Sequence, residues 1–255
     1  MVHVLIARFW NYQMPPKSRV AIVLSCEHAG NRIPPAMTGQ FRGAQRVLES
    51  HRGWDPGALP LAQQFSKVLS VPLTFSSVSR LVVEPNRSIG HPQLFSEFTR
   101  NKSREEKQRL VERYWKPHRE AVTDLIAARI QQRQIVIHLS VHTFTQHFGS
   151  EVRKTDIGLL YDPQRRLEQH FCAIWRETLK ETDPDWVVRR NDPYKGSSDG
   201  FTTHLRKQFE ATQYLGIELE VCQKFFLKGG LPWKQVLMRI PQSFCEAVRR
   251  HSENL

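Results

Sequence analysis

The sequence predicts an α/β fold with a mixed, mostly parallel sheet that carries helices on both faces. First, short apolar runs rich in β-branched residues alternate with amphipathic helical segments from end to end. Second, two of these runs are almost continuously apolar, as is typical of strands buried on both sides. Third, 40% of the 255 residues are apolar, which suffices for a sizeable core. Since no repeat or linker interrupts the pattern, we expect one α/β domain over residues 1–255, with residues 1–18 as a candidate extension.

The first strand and the first helix are predicted on either side of a polar loop. Residues 20–25 form an apolar, β-branched run, and the polar residues 26–31 mark the end of this buried strand. Asp55 begins an Asp-Pro-Gly sequence that precedes apolar residues at helical spacing, which predicts a helix over 58–69. Asp before Pro is also what a helix N-cap followed by proline requires, so Asp55 has a purely structural interpretation as well.

The next segments predict two short strands, a long helix and a central strand. Residues 71–75 and 79–83 are short apolar runs typical of strands. An elaborated connection around 88–105 leads into a charged segment with helical periodicity, which predicts a helix over about 97–134. Residues 135–142 are almost continuously apolar and end in a histidine, which predicts a buried central strand.

The C-terminal half predicts three more strands that alternate with helices. The strands are expected at the short apolar runs 156–161, 186–190 and 215–221. Apolar residues at helical spacing predict helices over about 164–180, 201–211 and 233–250. Pro241 falls inside the last of these and either kinks that helix or divides it into two.

The charge of the chain is its most conspicuous compositional feature. Lys and Arg number 37 against 25 Asp and Glu, a formal net charge of +12, which alone suggests an anionic partner such as nucleic acid. Much of the excess lies on the helix predicted over 97–134, where a solvated surface is the ordinary explanation. No nucleic-acid-binding motif accompanies it, so we expect a small anionic substrate and no nucleic-acid partner.

The sequence also lacks targeting features. No run of about 18 apolar residues is present, so no transmembrane helix and no membrane partner are expected. The N-terminus has neither the basic region nor the cleavage site of a signal peptide, and the four cysteines form no CxxC motif. We therefore expect a cytoplasmic protein with reduced thiols.

Ionisable residues lie where three of the predicted strands end. His28 follows the first strand, His142 ends the central strand, and Glu220 lies near the end of the last. Ligands bind beyond the carboxyl ends of strands in open α/β sheets, and burying an unpaired charge costs several kcal/mol. We therefore expect the three side chains to share one pocket. If these residues had structural roles only, the histidines would be hydrogen-bonded core residues and Glu220 would be an exposed carboxylate on an edge strand.

Two histidines near carboxylates are typical of a zinc site. Neutral imidazole suits Zn²⁺, a carboxylate commonly supplies the third ligand, and an open position activates water. A nearby Glu can carry protons between that water and a leaving amine. Arg80 and Arg87 lie in and just after a predicted strand, and guanidinium groups bind carboxylates in bidentate fashion.

Seven motifs occur in order along the chain. They are VLSCEHAGNRIP (23–34), HRGWDPGA (51–58), SRLVVEPNR (79–87), HLSVHTFT (138–145), DIGLLYD (156–162), RRNDPYKGSSDGFTTHLR (189–206) and GIELEV (216–221). Together they resemble the N-formylglutamate amidohydrolase family over about residues 20–225. That family is similar to zinc carboxypeptidases and aspartoacylases. The resemblance implies their α/β fold, one Zn²⁺ per chain, and hydrolysis of an N-acyl (N-formyl) group from a carboxylate-bearing amino acid such as N-formylglutamate.

The resemblance also implies roles for individual residues around the substrate. Glu220 would be the general acid and base. Arg87, with Asn86, would bind the anionic end of the substrate. Arg80 would polarise the scissile carbonyl or add a second carboxylate contact, and Tyr194 would close over the bound ligand.

The resemblance makes His28 and His142 metal ligands and leaves the third ligand to be chosen. The carboxypeptidase-like pattern H-x-x-E has Asn31 at its last position, and Asn is a poor zinc ligand. Asp55 of the HRGWDPGA motif is therefore the first choice, with Asn31 or another residue as the alternative.

Three hypotheses follow from the sequence. The first is a zinc-dependent amidohydrolase that uses a metal-activated water and a Glu general base. The second is a non-catalytic basic protein that binds nucleic acid or another polyanion, and the third is an inactive member of the family. The departures from the family pattern in HTFTQ (142–146) and EPNRS (84–88) concern the substrate more than the chemistry.

Overall fold

The computed structural model describes residues 2–5 and 19–253. The candidate extension over residues 1–18 lies outside the described residues except for one short strand. The described strands are β1 (Val2–Leu5), β2 (Val20–Cys26), β3 (Leu73–Ser76), β4 (Ile135–Phe144), β5 (His147–Phe148), β6 (Glu151–Val152), β7 (Ile157–Leu160), β8 (Val188–Arg190) and β9 (Tyr214–Cys222). The described α-helices are α1 (Gln45–Glu49), α2 (Ala58–Leu69), α3 (Arg104–Leu110), α4 (Lys116–Gln131), α5 (Arg166–Thr182), α6 (Phe201–Arg206), α7 (Lys224–Lys228) and α8 (Gly230–Ser252).

The sheet is mixed and mostly parallel, as predicted. Seven of the described strands form it in the order β1-β3-β2-β4-β9-β7-β8, and β5 and β6 form a separate hairpin. β2 pairs in parallel with β3 and β4, and β4 pairs in parallel with β9, whereas β1 and β7 join antiparallel to β3 and β9. Because β2, β4 and β9 run in the same direction, their carboxyl ends lie at the same edge of the sheet.

Helices cover both faces of the sheet, which confirms the predicted fold class. On one face, Leu24 of β2 belongs to a core built with α2, α5 and α8, in which Trp175 is fully buried. On the other face, Val23 packs with Ile126 of α4 and Phe201 of α6. Neighbouring residues of a strand point to opposite faces, so the near-continuous apolar run of β2 reflects burial on both sides.

The strand predicted over 79–83 is wrong. These residues form turns, in which the Ser79 hydroxyl donates to the Gly53 carbonyl at 2.9 Å and the Val82 N–H donates to the Ser79 carbonyl at 2.9 Å. The apolar side chains of this segment are nevertheless buried, in a small cluster with Phe41. The apolar run thus records the burial of a loop and not a strand.

Two of the predicted helices are shorter than expected. The charged segment becomes helical only at α3, where Ser103 and Glu106 form a capping box, and it passes through a π-helical turn at Val111–Trp115 before α4. The helix predicted over 201–211 ends at Arg206.

Helix α8 runs unbroken through Pro241, so of the two alternatives the division of this helix is wrong. Pro241 is buried, and the packing of α8 against α2 and α5 offsets the backbone hydrogen bond that a proline removes. Although α8 has 23 residues, no helix in the described ranges is long and apolar enough to cross a membrane.

Candidate active site

All eight residues predicted for the site line one cavity. This cavity has a volume of about 620 Å³ and lies at the carboxyl ends of β2, β4 and β9. The predicted residues on its wall are His28, Asp55, Arg80, Asn86, Arg87, His142, Tyr194 and Glu220. The shared pocket expected from the three strand ends is therefore present.

Two ring nitrogens and one carboxylate oxygen converge in this cavity. His28 Nδ1 lies 3.1 Å from His142 Nδ1, and Asp55 Oδ2 lies 3.1 Å from the first and 3.0 Å from the second. All three side chains are buried. His28 follows β2, His142 belongs to β4, and the loop before α2 brings in Asp55, whose N–H donates to the His28 carbonyl at 3.0 Å.

This triangle fits a metal cation better than it fits hydrogen bonds alone. Donor atoms bound tetrahedrally at about 2.0–2.1 Å from Zn²⁺ lie roughly 3.3 Å apart, which is close to the observed separations. If both Nδ1 atoms carried a hydrogen pointed at Asp55 Oδ2, the two N–H groups would face each other across the 3.1 Å between the Nδ1 atoms, which is repulsive. The three residues could therefore hold a metal ion, and two imidazoles with one carboxylate are a donor set that suits zinc.

Carboxylates hold the opposite nitrogen of each ring. His28 Nε2 donates to Glu84 Oε1 at 2.5 Å. His142 Nε2 lies 2.8 Å from the hydroxyl of Ser140, which donates its own hydrogen to Glu27, and 3.1 Å from Glu27 Oε2. A carboxylate only accepts, so each Nε2 carries a hydrogen and each Nδ1 can present a lone pair to the centre of the triangle. Metal-ligating histidines commonly have such outer partners.

The neighbouring charges control protonation in the triangle. Burial lowers the pKa of His142, but hydrogen bonds to Asp55 and Glu27, together with their charges, outweigh burial and hold this pKa well above its usual range. Burial raises the pKa of Asp55, but the two histidines and Arg80 outweigh it and hold this pKa well below its usual range. A metal-ligating imidazole must be neutral, so cation binding would displace a proton from His142.

Asp55, and not Asn31, completes the triangle. Asn31 Nδ2 donates to the Leu48 carbonyl at 3.0 Å, and Asn31 does not line the cavity that holds the triangle. The N-cap of α2 is Gly57, so the helix-cap interpretation of Asp55 is wrong.

Arg80 lies between two carboxylates at the cavity wall. Its Nε donates to Glu84 Oε2 at 2.5 Å, and its Nη1 donates to Asp55 Oδ1 at 3.2 Å. Burial lowers the pKa of Arg80, but the charges of Glu84 and Asp55 outweigh it and raise this pKa above its usual value. Its side chain remains 26% exposed, so a cationic guanidinium group reaches the cavity.

Glu220 is a buried carboxyl group beside the triangle. It lies opposite His142 in the pairing of β9 with β4, and its Oε2 is buried with no hydrogen-bond partner in the described part of the chain. Burial raises its pKa to about 8, helped by the charges of Asp55 and Glu218 and opposed by those of His142 and Arg80. β9 is an inner strand, so the interpretation of Glu220 as an exposed edge-strand carboxylate is wrong. A carboxyl group that titrates near neutral pH can exchange a proton with a substrate.

The remaining predicted residues are anchored by groups from other loops. Asn86 Oδ1 accepts from the first backbone N–H of α6 at 2.7 Å, so its Nδ2 is the group that can donate to a ligand. Arg87 Nη1 donates to the Asp199 carbonyl, which fixes the guanidinium on the wall. The Tyr194 hydroxyl accepts from Arg153 Nη1 at 2.9 Å, and 41% of Tyr194 is exposed at the cavity.

His138, on the same face of β4 as His142, is a structural histidine. Its ring nitrogens lie 2.8 Å from the Ser25 and Tyr214 hydroxyls, and burial lowers its pKa to about 4. It does not line the cavity. Two histidines on the same face of β4, four residues apart, therefore have different surroundings.

Known proteins resemble this chain in sequence and in fold. A model of the N-formylglutamate amidohydrolase family matches residues 20–227. The gene product Atu2144 from Agrobacterium tumefaciens has 26% identity and a TM-score of 0.78, with 98% of this chain and 95% of that chain covered. An N-formylglutamate amidohydrolase from Ralstonia eutropha JMP134 has 16% identity and a TM-score of 0.66, with 100% and 99% covered. None of the curated proteins compared with the chain matches it.

Proposed function

Because the chain belongs to the N-formylglutamate amidohydrolase family, we propose that it is a zinc-dependent amidohydrolase. The proposed reaction removes an N-acyl group, such as formyl, from a carboxylate-bearing amino acid such as N-formylglutamate. The observation that carries the proposal is the convergence of His28 Nδ1, His142 Nδ1 and Asp55 Oδ2 in one cavity. The same cavity holds a carboxyl group that titrates near neutral pH and arginines that can bind an anion.

The three converging side chains would hold one zinc ion per chain. When bound, zinc supplies Lewis acidity toward water and toward the amide carbonyl. Glu84 and Glu27 would keep His28 and His142 in the tautomer that points Nδ1 inward.

Glu220 would carry the proton through the reaction. It would take a proton from the attacking water as the water oxygen bonds to the carbonyl carbon, and give it to the amine nitrogen as the C–N bond breaks. The products are formate, or another carboxylate, and the free amino acid. Arg80 would donate to the carbonyl oxygen, on which negative charge develops in the transition state.

Arg87 and Asn86 would bind the carboxylate of the substrate. A guanidinium group matches a carboxylate in two parallel hydrogen bonds, and Asn86 Nδ2 can add a third. Tyr194, partly exposed at the cavity, would cover the bound ligand.

The test of this function with the largest expected effect replaces a candidate metal ligand. Purified protein is expected to contain about one zinc per chain, measured by elemental analysis, and to release formate from N-formylglutamate. His142→Ala should lose both properties, because the triangle would keep only two donors. His147→Ala, at an exposed histidine outside the cavity, is the matched control and should keep both. Full zinc retention in His142→Ala would contradict the ligands, and a zinc-loaded wild type that hydrolyses no N-acyl amino acid would contradict the function.

A further inference from the structure

Glu84 contacts both a candidate metal ligand and the residues expected to bind the substrate anion. The segment 84–87 follows the turns over 79–83, and the Glu84 side chain is buried, with 6% of the residue exposed. Its Oε1 accepts from His28 Nε2 at 2.5 Å and from the Asn86 backbone N–H at 3.0 Å, and its Oε2 accepts from Arg80 Nε at 2.5 Å. One carboxylate is therefore shared by a candidate metal ligand, a cavity arginine and the backbone of the loop that carries Asn86 and Arg87.

We propose that Glu84 is a positioning residue that couples the metal site to the anion-binding wall of the same cavity, formed by Arg80, Asn86 and Arg87. The inference rests on the proposed function, since it concerns the ligands and the substrate anion of that site. Through Oε1, Glu84 orients the His28 ring. Through Oε2 and the Asn86 N–H, it fixes the Arg80 guanidinium and the start of the loop that presents Arg87.

The other hydrogen bonds of this loop tie it to elements away from His28. Arg119 Nη1 donates to the Pro85 carbonyl at 3.0 Å, and Trp115 Nε1 donates to the Arg87 carbonyl at 2.9 Å. Asn86 Oδ1 accepts from Phe201 N and Arg87 Nη1 donates to the Asp199 carbonyl, so both contacts tie the loop to the region around α6. Among the contacts of the described residues, Glu84 is the group that joins this loop to His28 directly. A displacement of its carboxylate would therefore move the ring and the anion-binding wall together.

Glu27 provides a matched comparison within the same site. It is fully buried, and its Oε2 lies 3.1 Å from His142 Nε2, to which the Ser140 hydroxyl also links it. Its other contacts are His118 Nε2 at 3.1 Å and the Ser140 hydroxyl, and it does not line the cavity. Glu27 thus holds one metal ligand without touching the anion-binding wall.

The neutral isostere separates the two roles of Glu84. In Glu84→Gln, the amide oxygen can still accept from His28 and the Asn86 N–H, but the NH₂ group then faces the Arg80 Nε–H donor. With the amide reversed, Arg80 keeps its acceptor and His28 loses one. No orientation of Gln serves both partners, whereas Glu27→Gln changes contacts to His142, His118 and Ser140 and none to the anion-binding wall.

The experiment measures zinc and an anion separately on the full chain. Zinc affinity is measured by competition with a chelator, and binding of glutarate, a non-hydrolysable dicarboxylate, is measured by calorimetry on the zinc-free protein. Glu84→Gln should weaken zinc binding by about 10–100-fold and also weaken glutarate binding by about tenfold. Glu27→Gln should weaken zinc binding by a similar factor and leave glutarate binding within about twofold of wild type.

The outcomes distinguish the coupling role from a general effect on the fold. Unchanged glutarate binding in Glu84→Gln, or equal loss of glutarate binding in both variants, would overturn the coupling. If Glu84→Gln does not fold, Glu84→Asp is the second variant, because its shorter side chain cannot reach both His28 and Arg80, and the same double loss is expected. Failure of both to fold while Glu27→Gln folds would assign Glu84 to the fold alone. A wild type that binds neither zinc nor glutarate would instead refute the proposed function itself.

Discussion

Two groups of buried charged side chains in the described part of the chain differ in how completely hydrogen bonds satisfy them. Between α5 and α6, Arg206 Nε lies 3.0 and 3.1 Å from the two oxygens of Glu168. Those oxygens also accept from the Gly216 N–H at 2.9 Å and the Asp162 N–H at 2.8 Å. One anion meets one cation here, and each carboxylate oxygen has its partners.

The active-site group is arranged differently. Asp55, Glu84 and Glu220 surround two histidines and Arg80, so three carboxyl groups share one permanent cation. Asp55 Oδ2 meets two ring nitrogens that also face each other, and the buried Glu220 Oε2 has no partner among the described residues. This group lines a cavity, whereas Glu168 and Arg206 do not.

The comparison shows what distinguishes a buried charge that supports the fold from one that supports chemistry. A buried ion pair is tolerated when hydrogen bonds complete it, and it then adds little beyond specificity. A buried group left with unmatched acceptors is costly unless a cation or a substrate completes it, which is why strongly shifted pKa values cluster at functional sites.

The largest effect is expected when Glu220, the proposed proton carrier of the active site, is replaced. Glu220→Gln should lower kcat for formate release by about 10²–10⁴-fold, the usual contribution of general acid–base catalysis. Its zinc content should stay at the wild-type value, because Glu220 is not in the converging triangle. Glu218→Gln, two residues away on the same strand, is the control, and its kcat should fall less than tenfold. A Glu220→Gln enzyme that kept more than a tenth of wild-type kcat would not use this carboxyl group as proton carrier.

The same contrast can be tested at the Glu168–Arg206 pair by removing its cation. Arg206→Met leaves the Glu168 carboxylate buried without its cation, so the free energy of unfolding should fall by about 3–5 kcal/mol, measured by urea denaturation. The double variant Glu168→Gln/Arg206→Met should recover most of the loss, because no uncompensated charge remains. A loss below about 1 kcal/mol in the single variant would show that this pair does not need its partner to stay buried.

The strands that carry the site could be predicted closely from the sequence. Continuous apolar runs predicted strands at 20–25, 135–142 and 215–221, and the structure has β2, β4 and β9 there with ends shifted by one or two residues. The same signal failed at 79–83, where a loop is buried without pairing. The two-residue strands β5 and β6 are exposed and have no apolar pattern to reveal them.

The candidate site was predictable only in part. His28 and His142 stood at strand ends, which is a local signal, but Glu84 meets His28 across 56 residues of sequence. Glu84 lies inside the motif EPNRS and Glu27 directly before His28, so both were visible as residues while their contacts were not. The basic charge of residues 100–134 is partly matched locally, since Lys102 pairs with Glu106 and Lys116 with Glu112. The expectation of no nucleic-acid partner stays a prediction.

The smallest expected effect concerns the pH dependence of stability. Burial raises the pKa of Glu220 to about 8 in the folded chain, well above its value in an unfolded chain. Below about pH 4 the carboxyl group is protonated in both states and contributes nothing to the difference. As pH rises toward 8 the unfolded chain releases the proton while the folded chain keeps it, so the free energy of unfolding falls with pH.

Glu220→Gln removes this titration and should therefore stabilise the zinc-free protein more at pH 9 than at pH 5. Each pKa unit corresponds to about 1.4 kcal/mol, and partial hydration of the cavity reduces the total, so we expect a gain of roughly 1–3 kcal/mol at pH 9 and little at pH 5. Urea denaturation at the two pH values in the presence of a chelator measures the difference. A gain in the free energy of unfolding that does not depend on pH would mean that Glu220 is already ionised at pH 5. Solvent would then hydrogen-bond to its Oε2 oxygen. A gain that grows with pH would show that the active-site group is destabilised by the same burial that brings Glu220 near neutral pH.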